Sequence, residues 1–146
     1  RLRRLQSPKA KPQVELETAQ PSTSADGYRV VADVIRELVD RNLHTYSLAT
    51  LNRLFAVEAR HRGLVCNRLL VQPTCQGREL PAREVNAWRT GDHALVYLSA
   101  SPEGPTRQNR AVLRSYLRQS VIPEGILVNF GSSAITICPV SPPSQH

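Results

Sequence analysis

Four arginines carry the plainest candidate chemistry in this chain. Arg107, Arg110, Arg114 and Arg118 recur at spacings of 3, 4 and 4. On a helix they fall within about 80° of arc, beside an apolar seam of Val112, Leu113, Tyr116 and Leu117. No acid interrupts residues 106–120, whereas a solvated face normally mixes both signs. The guanidinium fork donates bidentate hydrogen bonds and is weakly hydrated, which suits it to phosphate. The same stripe would also suit an acidic protein surface. Arg60 and Arg62, at the end of an earlier amphipathic segment, extend the set. So does an N-terminal arm with Arg1, Arg3, Arg4, Lys9 and Lys11 and no acid in its first eleven residues.

Other chemistries find no footing. There is no G-x-S-x-G nucleophile elbow and no glycine-rich phosphate loop. Cys66, Cys75 and Cys138 form no C-x-x-C pair, and His44, His61, His93 and His146 stand at no ligand-like spacing to them. Neither a disulfide framework nor a metal site is expected, nor any cofactor or small-molecule substrate. Cys66 and Cys138 lie in apolar runs and read as buried reduced thiols in a reducing compartment. Asp92 and Glu103 flank the strongest strand but fall in turn-forming segments. Aromatic residues are only 5% of the chain, too few for single-strand readout by stacking.

The 146 residues amount to one domain with tails, and a net charge of +7 leaves the surface basic. Seventeen of the 19 bases are Arg, and Met is absent. No run approaches the ~20 apolar residues of a membrane span, so no membrane insertion is expected. Residues 1–27 read as a basic, Pro-broken tail, 28–140 as the folded domain and 141–146 as a second disordered tail. Within the domain, Val30, Val31, Val34, Ile35, Leu38 and Val39 make one helical stripe, with Asp26 or Gly27 as its cap. Leu48, Leu51, Leu54 and Phe55 make another over 47–62. Strands are expected at 64–74, 83–89, 93–100, 126–130 and 134–140, with a third helix at 106–120. Segments 93–100 and 126–130 are apolar on both faces, as adjacent central strands would be. The fold class is α/β (a mixed α+β sheet), in the order α-α-β-β-β-α-β-β.

Leu113–Leu117 (LRSYL), followed by Gly125–Ser132 (GILVNFGS) and Ile135–Ile137, resembles the end of GxxExxY-type proteins of the PD-(D/E)XK nuclease-like superfamily. VIRELVDRNLHTYSLATLNRLFAVEARHRGL is similar to that family's two opening helices and RGL turn. LLVQPTCQGREL resembles its hairpin. The resemblance covers about residues 29 to 138 and implies a PD-(D/E)XK nuclease-like core. It also shows what this chain lacks. The eponymous Gly, Glu and Tyr would fall near Thr45, Leu48 and Leu51. The metal-binding Asp would fall at Asn86 or Ala87, and the acid–Lys pair at Tyr97 and Ser99. The family's later Gln would fall near Val112, one turn from Gln108. A hard divalent cation needs acidic oxygens that these positions do not supply, and no Lys follows residue 11.

The expectation is therefore a non-enzymatic pseudo-nuclease, an accessory subunit that contacts RNA, rRNA in particular, beside neighbouring protein subunits of a large ribonucleoprotein. A mitochondrial ribosome suits the arginine bias and the Met-less basic start. Two alternatives stand beside it: a protein–protein scaffold in another mitochondrial complex, and a metal-dependent nuclease with relocated acids.

Overall fold

A computed structural model describes residues 11–17, 25–91 and 94–142. In chain order the elements are β1 (Gln13–Leu16), α1 (Ala25–Asp40), α2 (Leu48–His61), β2 (Cys66–Val71), β3 (Thr74–Cys75), β4 (Arg78–Glu79), β5 (Arg83–Thr90), β6 (Ala94–Ser99), α3 (Arg107–Ser120), β7 (Glu124–Phe130) and β8 (Ala134–Val140). Six strands form one mixed sheet in the order β1-β8-β7-β6-β5-β2, while β3 and β4 pair by themselves. β5 runs antiparallel to both of its neighbours, β2 and β6. β7 lies parallel to β6, and α3 makes the crossover between them. The fold is thus mixed α/β, with the two apolar segments of the sequence as neighbouring inner strands.

Alternation along these strands feeds two cores. Val96, Leu98, Ile126, Val128, Ile135 and Ile137 pack against the stripes of α1 and α2. Leu95, Leu127, Cys138 and Val140 face Leu113 and Leu117 of α3. Each such side chain, taken fully from water, contributes roughly 1.5–3 kcal/mol. Gly125 passes beneath α3 so closely that a Cβ there would lie 2.9 Å from a Leu117 methyl. Ser47 caps α2 by accepting the Thr50 N–H. Thr106 caps α3 in a reciprocal box with Asn109.

Three boundaries differ from the sequence reading. Residues 13–16, assigned to the tail, form the edge strand β1, parallel to β8. Its tether is tertiary: the Tyr28 hydroxyl lies 2.7 Å from the Ile137 carbonyl oxygen and 2.9 Å from that of Glu17, sharing one proton between them. α1 starts at Ala25, so Asp26 and Gly27 lie inside its first turn rather than at its cap. The strand expected over 64–74 divides into β2 and the small β3–β4 hairpin, because Pro73 interrupts the ladder. The arm with Arg1, Arg3, Arg4 and Lys9, the pair Asp92 and His93, and residues 143–146 lie outside the described residues.

Candidate nucleic-acid interface

The six arginines divide into two groups of three. Arg107, Arg114 and Arg118 are exposed. They take no ion pair or hydrogen bond among the described residues. They share about 40° of arc on α3, on an exposed flank of the helix beside the face that Leu113 and Leu117 bury. α3 carries no acid in its first turn, and Arg118 sits in its last.

Arg110 departs from the expected stripe. It lies about 60° from Leu113 around the helix axis, close to the apolar seam. Its side chain therefore reaches the sheet edge, where Nη2 pairs with Glu17 Oε2 at 3.2 Å and lies 3.9 Å from Cys138 Sγ. Burial alone would lower its pKa, but the bond to Glu17 and the charges beside it leave it raised. The guanidinium stays charged and occupied.

Arg60 and Arg62 are also committed. Arg60 donates from Nε and Nη2 to the Cys66 carbonyl, at 3.0 and 2.7 Å. Its guanidinium carbon lies 5.9 Å from the centre of the Trp88 ring, and that of Arg68 lies at 4.8 Å. The Trp88 indole N–H is held by Asn52 Oδ1 at 2.9 Å. Arg62 bridges Glu58, at 2.9 Å, and Glu37, at 3.5 Å. These two arginines fasten α2 to β2 and to α1. Together with Arg110 they form no continuous free surface with the exposed three.

The positions that the resemblance matches to metal ligands hold no charge. Ala87 is fully buried in the α3-side core. Tyr97 shares that core and stacks edge-on to Tyr116, with ring centres 6.1 Å apart. Ser99 is buried and donates to Asn129 Oδ1 at 2.8 Å. Asn86 is exposed and accepts from Arg68 Nη1 at 2.7 Å. Val112 is half-buried and Gln108 exposed on α3. Among the described residues, no three His, Cys, Asp or Glu side chains converge as a metal cage.

Comparison of the chain with family models, with curated proteins and with solved structures finds no match. The local chemistry therefore carries the functional reading.

Cys66 and Cys138 are buried free thiols and Cys75 is an exposed one. Burial pushes Cys66 up to about 11 against the opposing charge of Arg60. Burial, with Glu17 beside it, pushes Cys138 up to about 12. Thiols held protonated in this way are poor nucleophiles. Among the described residues, no helix is long and apolar enough to cross a membrane.

Proposed function

We propose that this chain is a non-catalytic accessory subunit with a PD-(D/E)XK nuclease-like core, which contacts RNA through α3 within a large ribonucleoprotein. The observation that carries the reading is the unopposed set Arg107, Arg114 and Arg118 on one exposed helix face. Three guanidinium groups with no internal carboxylate keep their full capacity for phosphate. The run β2, β5, β6, followed by α3 and the parallel β7, is compatible with such a core and is the support the fold lends to this reading. Ala87, Tyr97 and Ser99 support the non-catalytic part, because none can hold Mg²⁺ or activate water at neutral pH. A mitochondrial ribosome is the assembly that the arginine-rich composition suits best.

A scaffold role in another mitochondrial complex is the second reading. It is favoured by Arg110, which shows a carboxylate already seated on the flank of the same helix. One experiment separates the two. Binding to a structured RNA is followed by fluorescence anisotropy across a salt series, for the natural chain and for Arg107→Gln/Arg114→Gln/Arg118→Gln. Three phosphate contacts account for about −2 to −3 of the log–log salt slope, and the triple variant loses that part. RNA affinity and slope unchanged in the variant, with loss of a co-purifying protein, would decide for the scaffold. Mg²⁺-dependent cleavage of the RNA would revive the nuclease.

A further inference from the structure

A cleft of about 840 Å³ opens at the end of the sheet where β7 turns into β8. It is separate from the arginine face, and no residue of α3 lines it. Lys11, His44, Thr45, Ser132 and Ser133 are among its polar lining residues, and Phe130 gives it an apolar wall. No carboxylate is among its lining residues. The volume lies in the range of small-ligand sites. It lies beyond the carboxyl end of β7, beside the amino ends of β8 and β1, with the end of α1 facing it.

Both rims are fixed by the backbone. On one side Asn42 adopts a left-handed φ of 59° and closes the end of α1. The Asn42 N–H donates to the Val39 carbonyl and that of Leu43 to Leu38, at 2.9 and 2.8 Å. On the other side the Ser132 N–H donates to the Pro102 carbonyl at 2.9 Å. Gly131 lies so close to this crossing that a Cβ would meet the Ala134 carbonyl oxygen at 2.8 Å. The backbone of these rims is therefore held in place before any ligand arrives.

Two of the polar groups are left incomplete. Lys11 donates one proton to the Asp40 carbonyl at 2.9 Å and has two more to give. His44 Nδ1 is shielded from solvent and has no hydrogen-bond partner among the described residues. Burial first, and the Lys11 charge second, disfavour the imidazolium. An anion seated beside the two would offset the Lys11 charge and favour the imidazolium against its burial.

We propose that this cleft binds the phosphate of a phosphate monoester. The ammonium of Lys11, the imidazole of His44 and the hydroxyls of Thr45, Ser132 and Ser133 donate to its oxygens, and Phe130 meets the ester group. Five donors along one cleft that has no carboxylate among its lining residues exceed what a carboxylate's two oxygens need and suit the three terminal oxygens of a monoester. The monoester can be a free nucleotide or the terminal phosphate of an RNA, and the two sources are separable.

Calorimetric titration of the full chain with 5′-AMP, inorganic phosphate and adenosine tests the site. Saturable 5′-AMP binding is expected, weaker phosphate binding, and none of adenosine. Lys11→Gln and His44→Gln each lower the 5′-AMP affinity about tenfold or more, as loss of a charge-assisted bond implies. Arg107→Gln/Arg114→Gln/Arg118→Gln leaves it unchanged, so this result stands or falls apart from the RNA-binding result above. A short RNA with and without its 5′-phosphate then distinguishes the sources: a preference for the phosphorylated form that Lys11→Gln abolishes assigns the site to RNA ends, and equal binding of both forms assigns it to free nucleotides. Adenosine binding as tightly as 5′-AMP, absence of saturable 5′-AMP binding, or unchanged affinity in both Gln variants would overturn the proposal.

Discussion

Asn129 holds the backbone of Ser101 at both of its polar groups. Its Oδ1 accepts the Ser101 N–H at 2.8 Å and its Nδ2 donates to the Ser101 carbonyl at 2.9 Å. The same Oδ1 accepts from Ser99. Ser101 passes the constraint on, since its hydroxyl donates to Asn109 Oδ1, which also accepts the Thr106 N–H in the α3 capping box. A buried side chain on β7 thus sets the exit of β6 and the start of the helix that carries the arginines. Asn129→Leu keeps the branching at Cγ but strands both Ser101 groups, at a cost of about 3 kcal/mol. Urea denaturation measures it, with the exposed Asn86→Ala as a control expected to stay within about 0.5 kcal/mol. A loss under 1 kcal/mol would mean that water replaces the amide.

Arg110 and the three exposed arginines should separate by stability as well as by binding. Arg107→Gln, Arg114→Gln and Arg118→Gln remove no internal partner and should leave the denaturation midpoint unchanged. Arg110→Gln breaks the pair with Glu17 and loosens β1 from the end of β8. The pair is partly exposed, so the loss should be no more than about 1 kcal/mol. Hydrogen exchange reports it more sharply, because amides of β1 should exchange faster in Arg110→Gln alone. Equal protection of β1 in all four variants would show that Tyr28, not Arg110, holds the strand.

Much of this molecule was legible from periodicity. The stripes on α1 and α2 and the two-faced apolar segments 93–100 and 126–130 announce themselves, because burial repeats at 3.6 or fills both faces of a strand. The strand at 13–16 does not. Gln13–Leu16 is four residues with one half-buried side chain, Val14, and its support comes from Tyr28 and Ile137, distant in sequence. The arginines show the same divide. Arg62 stands four residues after Glu58, a helical ion-pair spacing readable without coordinates. Arg110 meets a carboxylate 93 residues away, which no local pattern shows, although its angle to Leu113 already placed it beside the seam. The cleft unites residues near 11, 44 and 132, so only the fold could bring it together.

Alkaline pH should weaken the fold through three groups. Burial pushes Tyr28 from 10.0 up to about 12, with the negative charge of Cys138 and of Glu17 adding to it. The buried thiols move the same way, from 9.0 to about 11 for Cys66 and about 12 for Cys138. In each case the native state holds its proton longer than the unfolded chain, so above the unfolded pKa the unfolded state binds fewer protons and stability falls with pH. Stability should therefore be level up to about pH 9, then decline through pH 12. Denaturation midpoints across that range check it. Tyr28→Phe should flatten the fall above pH 10, though it also loses the tether to β1. A midpoint that rises with pH in this window would contradict the burial of all three.

Val121 ends α3 in a conformation that a β-branched residue rarely adopts. Its φ is 57° and its ψ 31°, and its N–H closes the helix on the Leu117 carbonyl at 3.0 Å. The left-handed region crowds Cβ against the backbone, at a cost of roughly 1–2 kcal/mol for an L-residue. The side chain recovers little of this, being 88% exposed. Glycine occupies the same conformation without the clash, and helices commonly end on it for that reason. Its greater freedom in the unfolded chain offsets part of the gain. Val121→Gly should therefore raise stability by about 1 kcal/mol, with the slope against urea unchanged. Val121→Asn should raise it by less, and Val121→Ile should not raise it at all. RNA binding by Val121→Gly should match that of the natural chain, since Arg118 keeps its place in the last turn. A Val121→Gly variant less stable than the natural chain would mean that the valine makes a contact outweighing the strain.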